Sequence, residues 1–109
     1  NCSMGKEEII KIIKDFINKA EEEIIIDKVI LFGSQATGKT HKNSDIDLIV
    51  VSEYFENMSS IQRAAKLYDY WDALFPVDFI CYTPKEFNIL KRRISIVREA
   101  IINGKIISQ

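Results

Sequence analysis

What this chain has little of narrows its function first. It has no basic excess: 15 lysines and arginines stand against 16 aspartates and glutamates, for a net charge of −1. That balance weighs against a DNA or RNA polymer as the main partner, because nonspecific grip on a polyanion needs a surplus of cations. It leaves open a nucleotide held through metal ions. Cysteine is scarce: Cys2 lies near the N-terminus and Cys81 in an apolar run, so no native disulfide is expected and Cys81 reads as a small buried hydrophobe. No run approaches the roughly 18 apolar residues needed to span a membrane, and no secretory pattern appears, so a cytoplasmic location is expected. The single histidine, His41, lies in a polar loop between lysines and reads as solvated. Internal repeats and low-complexity segments are absent.

What is there fits a globular chain. Its 109 residues, 47% hydrophobic and 28% charged, suit one domain with one core. Asn1-Cys2-Ser3 ahead of Met4 reads as an expression remnant, leaving 4–109 as the expected domain. Ile9, Ile13, Phe16, Ile17 and Ala20 recur at helical spacing and predict a helix over 6–22. A first strand is expected over 24–32, with Val29 to Phe32 covered on both faces because polar alternation is missing. A second strand is expected over 46–51. Ser59 with Gln62 makes a capping box for a helix whose apolar set is Ile61, Ala64, Ala65, Leu67, Tyr68, Trp71 and Leu74, ending before Pro76. Val77 to Tyr82 is a third strand. Thr83-Pro84-Lys85-Glu86 starts a further helix or pair of helices, stopped at Gly104. Lys105 to Ser108 reads as a candidate terminal strand.

The connection from the first strand to the second is short and suits antiparallel neighbours, whereas the second reaches the third through a full helix, the usual parallel crossover. The expected fold is therefore α/β (α+β), a three-stranded mixed sheet of order 1-2-3 packed with helices. Such a sheet puts the end of the first strand beside the starts of the second and third, so Gly33-Ser34, Asp45, Asp47 and Asp78 converge on one edge. Asp45 and Asp47, two apart on a strand, share a face. Three carboxylates gathered together repel one another unless a cation compensates, and hard oxygen ligands suit Mg²⁺. Gly33 lets backbone approach a phosphate, and Ser34, beginning a short helical turn, offers N–H groups and a hydroxyl to phosphate oxygens.

A competing motif overlaps this one. Residues 33–40, GSQATGKT, match the P-loop pattern G-x-x-x-x-G-K-[ST]. A P-loop needs a substantial helix directly after its Lys-Thr, and only His41, Lys42, Asn43 and Ser44 separate Thr40 from Asp45. The P-loop NTPase is the weaker reading, and Lys39 is read instead as a lysine over the site, close to phosphates. Lys91, Arg92 and Arg93 form a basic run whose default is a solvated helix face.

Gly33-Ser34, ten intervening residues and Asp45-x-Asp47 resemble the minimal nucleotidyltransferases of the DNA polymerase β superfamily. The resemblance extends to Ser44, Leu48, Asp78 and the tail from Arg98 to Ile107. It implies a nucleotidyltransferase fold and a Mg²⁺-dependent transferase. Asp45, Asp47 and Asp78 would act as catalytic metal ligands, with Gly33, Ser34, Lys39 and Ser44 at the nucleotide. It further implies an antitoxin that transfers AMP from ATP to a tyrosine of an all-helical HEPN toxin. Gln35 and Thr37 stand where many relatives carry arginines, which motivates an alternative: a non-catalytic antitoxin of the same fold that masks its partner. The sequence leaves self-association open.

Overall fold

The structure, a computed structural model, describes residues 5–32, 46–93 and 96–108. In chain order its elements are α1 (Lys6–Ala20), β1 (Lys28–Phe32), β2 (Ile46–Val51), a 3-10 turn (Glu53–Phe55), α2 (Ser60–Tyr68), β3 (Val77–Tyr82), α3 (Pro84–Leu90), α4 (Ile96–Asn103) and β4 (Lys105–Ser108). The strands form one mixed sheet of order β3-β2-β1-β4. β1 runs antiparallel to β2, and β2 parallel to β3, as the connection lengths predict. The 1-2-3 order is kept, and the short β4 adds antiparallel to the free side of β1.

Alternation along the strands divides the core into two layers. On one face Val29, Leu31, Ile46, Leu48, Val50, Val77, Phe79 and Cys81 pack against Ile9, Ile13, Phe16, Ile17 and Ala20 of α1 and Leu67 of α2. On the other, Ile30, Ile49 and Val51 meet Phe87 of α3 and Val97 and Ala100 of α4. Both faces of β1 and β2 are thus covered, which accounts for their unbroken apolar sequence. Each fully buried Ile or Leu here contributes about 1.5–3 kcal/mol relative to exposure.

Two elements depart from expectation. β1 begins at Lys28, not Ile24, because the Ile24 N–H still donates to the Ala20 carbonyl at 2.9 Å in the turn that closes α1. α2 stops at Tyr68, so Trp71 and Leu74 lie outside it. The Tyr70 and Trp71 N–H groups donate to the carbonyls three residues back, and the Trp71 indole donates to the Phe75 carbonyl at 2.9 Å, closing a compact loop. Leu74 is fully exposed at its tip, and Ile61, also expected in the apolar set, is exposed as well. Between β2 and α2, Tyr54 is exposed and Phe55 buried. The helical stretch after Thr83 is two helices, and the Thr83 capping box forms as read, with Glu86 N–H donating to Thr83 Oγ1 at 3.2 Å and Thr83 N–H to Glu86 Oε1 at 2.9 Å. Among the described residues no helix is long and apolar enough to cross a membrane.

Candidate active site

The site is built by register. Phe32, the last residue of β1, pairs with Asp47 of β2, and Asp47 pairs with Asp78 of β3. The three side chains therefore form one row on the sheet face that α3 and α4 cover further along, where the parallel rows are Ile30–Ile49–Ile80 and Lys28–Val51–Tyr82. At the Asp47 row the apolar filling ends. Asp47 is half-buried and Asp78 exposed. Directly opposed residues on neighbouring strands stand about 4.8 Å apart at their Cα atoms, so the two aspartates are direct neighbours where β2 and β3 begin.

The surrounding chain fixes that end. The Ile46 N–H, one residue before Asp47, donates to the Pro76 carbonyl at 2.9 Å, and the Tyr68 hydroxyl donates to the Val77 carbonyl at 2.8 Å, one residue before Asp78. Both aspartates are thus preceded by a pinned backbone group. At the opposite end of β3, buried Arg63 donates to the Cys81 carbonyl at 3.0 Å and to both oxygens of Glu86 at 2.7 and 3.1 Å. The guanidinium lowers the Glu86 pKa below the usual carboxylate range, and the carboxylate raises that of Arg63 in return. Burial pushes the Cys81 thiol up to about 12, so it stays protonated and inert. Nothing in the sequence singles out Arg63, since an arginine in an amphipathic helix ordinarily reads as solvated.

Of the predicted site residues, the sheet brings Asp47 and Asp78 together. Asp45, Gly33, Ser34, Lys39 and Ser44 lie outside the described residues, as does the rest of the overlapping P-loop pattern. The described part of the topology nevertheless bears on that pattern. A P-loop strand is followed by a helical crossover within a parallel sheet, and here β1 returns antiparallel through β2. Among the described residues there is no cluster of three metal-ligating side chains. The two carboxylates that are present do fit a hard divalent cation. Like charges set directly across a sheet destabilise it, and a shared cation removes that repulsion while leaving positions for phosphate oxygens and water.

A family model described as a nucleotidyltransferase domain matches residues 7–103. The chain belongs to this nucleotidyltransferase family. The solved structures agree on the fold. A candidate nucleotidyltransferase from Sulfolobus solfataricus aligns over 97% of this chain and 90% of its own, with a TM-score of 0.67 and 18% identity. A toxin–antitoxin structure with AMP-PNP aligns over 95% of this chain and 73% of its own, at 28% identity and a TM-score of 0.51. A mutant of the toxin–antitoxin MntA-HpeT gives the same coverage at 25% identity and a TM-score of 0.50. No curated protein matches significantly. The likeness to minimal nucleotidyltransferases drawn from Gly33-Ser34 and Asp45-x-Asp47 therefore holds for family and fold. In the nucleotidyltransferase domain, the Asp47–Asp78 row lies where β2 and β3 begin.

Proposed function

We propose that this nucleotidyltransferase transfers AMP from ATP to a tyrosine hydroxyl of a HEPN-type toxin and so acts as an antitoxin. The observation that carries this reading is the direct register of Asp47 with Asp78 at the end of the sheet where β2 and β3 begin. Two relatives support the assignment of partner and nucleotide: one is a toxin–antitoxin solved with AMP-PNP, and the other is a mutant in which two aspartates, two positions apart, are changed to glutamate. Asp45 and Asp47 have the same spacing.

Asp45, Asp47 and Asp78 are the residues that would hold Mg²⁺, which when bound supplies Lewis-acid stabilisation of phosphate charge. Gly33 and Ser34, with Lys39 and Ser44, orient the triphosphate so that the α-phosphorus faces the acceptor. Asp78, the exposed carboxylate, accepts the hydroxyl proton. The acceptor oxygen forms a bond to the α-phosphorus, the bond from that phosphorus to the bridging oxygen breaks, and pyrophosphate departs in line.

The test is the intact mass of the neighbouring gene's product after co-expression with this chain. A gain of one AMP on a tyrosine is expected, and replacing Asp45 and Asp47 together by Asn should abolish it while leaving the fold intact. Transfer that survives the double replacement would overturn the assignment. Gln35 and Thr37, standing where many relatives carry arginines, favour a second reading in which the same fold masks its partner without chemistry; an inhibited partner of unchanged mass would support it.

A further inference from the structure

Resting on that reading, we propose that Tyr68 is a positioning residue for nucleotidyl transfer: its hydroxyl, donating to the Val77 carbonyl, fixes the peptide unit from which Asp78 projects.

The argument starts from the unequal support of the two aspartates. Asp47 belongs to β2, which is paired with β1 on one side and β3 on the other. Asp78 belongs to β3, which lies at the edge of the sheet among the described residues, with β2 as its strand partner. Carbonyls point alternately to the two sides of a strand. Those of Pro76 and Tyr82 accept from the Ile46 and Ser52 N–H groups on the β2 side, at 2.9 and 3.0 Å. The carbonyls of Val77, Phe79 and Cys81 therefore turn outward, away from β2. Side chains of α2 take the place of a further strand there: the Tyr68 hydroxyl donates to the Val77 carbonyl at 2.8 Å, and the Arg63 guanidinium to the Cys81 carbonyl at 3.0 Å.

The two contacts act at different ends of β3. Arg63 secures the end remote from the aspartate row, whereas Tyr68 acts one residue before Asp78. The Val77 carbonyl and the Asp78 N–H belong to one planar peptide unit. Its N–H faces β2 and its carbonyl is held by Tyr68, so the unit is gripped from both sides and resists rotation. The direction in which Asp78 leaves the backbone follows from that plane. Packing does not supply the restraint, because Asp78 is exposed. Tyr68 is itself located by its ring, which packs edge-on against Phe79 with centroids 5.0 Å apart. A carboxylate that serves a phosphoryl centre has to keep its geometry closely, and the groups that hold it share in its effect.

The test is the full chain carrying Tyr68→Phe, which keeps the ring on Phe79 and loses the hydroxyl. Tyr70→Phe is the matched control, because the Tyr70 hydroxyl donates to Glu23. AMP transfer to the neighbouring gene's product is measured at saturating Mg²⁺, and melting temperature is followed separately as Mg²⁺ is added without nucleotide. Tyr68→Phe should lower kcat about ten-fold with the KM for ATP unchanged, and should raise the Mg²⁺ concentration at the midpoint of the melting-temperature rise about ten-fold. Tyr70→Phe should move neither. A hydroxyl with a merely structural role would lower the melting temperature in EDTA and leave kcat and the Mg²⁺ midpoint alone. An unchanged kcat or an unmoved midpoint in Tyr68→Phe overturns the inference and leaves the parent reading standing, as does an equal loss in Tyr70→Phe. If Asp78→Asn transfers as well as the unaltered chain, Asp78 leaves the reading and the inference falls with it. Absence of transfer by the unaltered chain overturns the parent reading, and this inference with it.

Discussion

Arg63 ties three separate parts of the chain together. It donates to the carbonyls of Met58 and Cys81 and to the carboxylate of Glu86, and its guanidinium lies 5.8 Å from the Phe55 ring centroid. Replacing it by Ala strands a buried carbonyl and removes a bidentate ion pair. Glu86 is 42% exposed at its side chain, so water takes over part of what is lost. The expected destabilisation is about 2–4 kcal/mol, read from the urea midpoint. A pH dependence follows from Glu86. Its pKa is lower in the folded state, chiefly through the Arg63 hydrogen bond, so the unfolded state binds the extra proton. Its contribution is complete above the ordinary carboxylate value of about 4.3 and fades as pH falls through the lower folded value. The stability gap between the unaltered chain and Glu86→Gln should therefore narrow on acidification below about pH 4. The role of Arg63 is hidden in the sequence because its three acceptors come from residues 58, 81 and 86, which only the fold brings together.

Elements announced by local chemistry are legible, and those decided by distant packing are not. The Thr83-Pro84-Lys85-Glu86 start carries its own capping hydrogen bonds and could be read directly. Thr83→Ala should cost about 1 kcal/mol, measured by thermal or denaturant unfolding. The end of α2 was not legible, because apolar residues continue at helical spacing through Trp71 and Leu74 while the chain has already turned at Asp69. What ends the helix is a tertiary arrangement: Trp71 packing on Phe16 and Phe79, with its indole on the Phe75 carbonyl. Gly104 falls between the two cases. Its position as a stop was readable, but its reason is a close approach. A Cβ there would press first on the Ala100 carbonyl oxygen of α4 and would stand 2.8 Å from the Leu31 carbonyl oxygen and 3.0 Å from Ile30 Cγ2. Gly104→Ala should push β4 away from β1 and cost about 1–3 kcal/mol, with hydrogen exchange fastest in the β4 amides.

At the scale of the whole molecule, the site follows from strand directions. An antiparallel return from β1 to β2, followed by a parallel crossover to β3, is the combination that sets the end of β1 beside the starts of both other strands. This much was readable from connection lengths, and it is why Asp47 and Asp78 could be expected together although 30 residues of chain separate them. The same arrangement sets a stability problem that distinguishes a functional pair from a decorative one. Two carboxylates in direct register repel one another, and cation binding to the folded state alone stabilises it by mass action. Asp78 is exposed, so replacing it by Asn removes the repulsion without opening a cavity. In EDTA, Asp78→Asn should equal or exceed the unaltered chain in stability by about 0.2–1 kcal/mol. In excess Mg²⁺ the order should reverse, because the unaltered chain gains a cation-dependent rise in melting temperature that the variant lacks. If Asp78→Asn is the less stable protein in EDTA, or if Mg²⁺ raises both melting temperatures equally, the opposed carboxylates are not a cation site and the chemistry assigned to this end of the sheet loses its foundation.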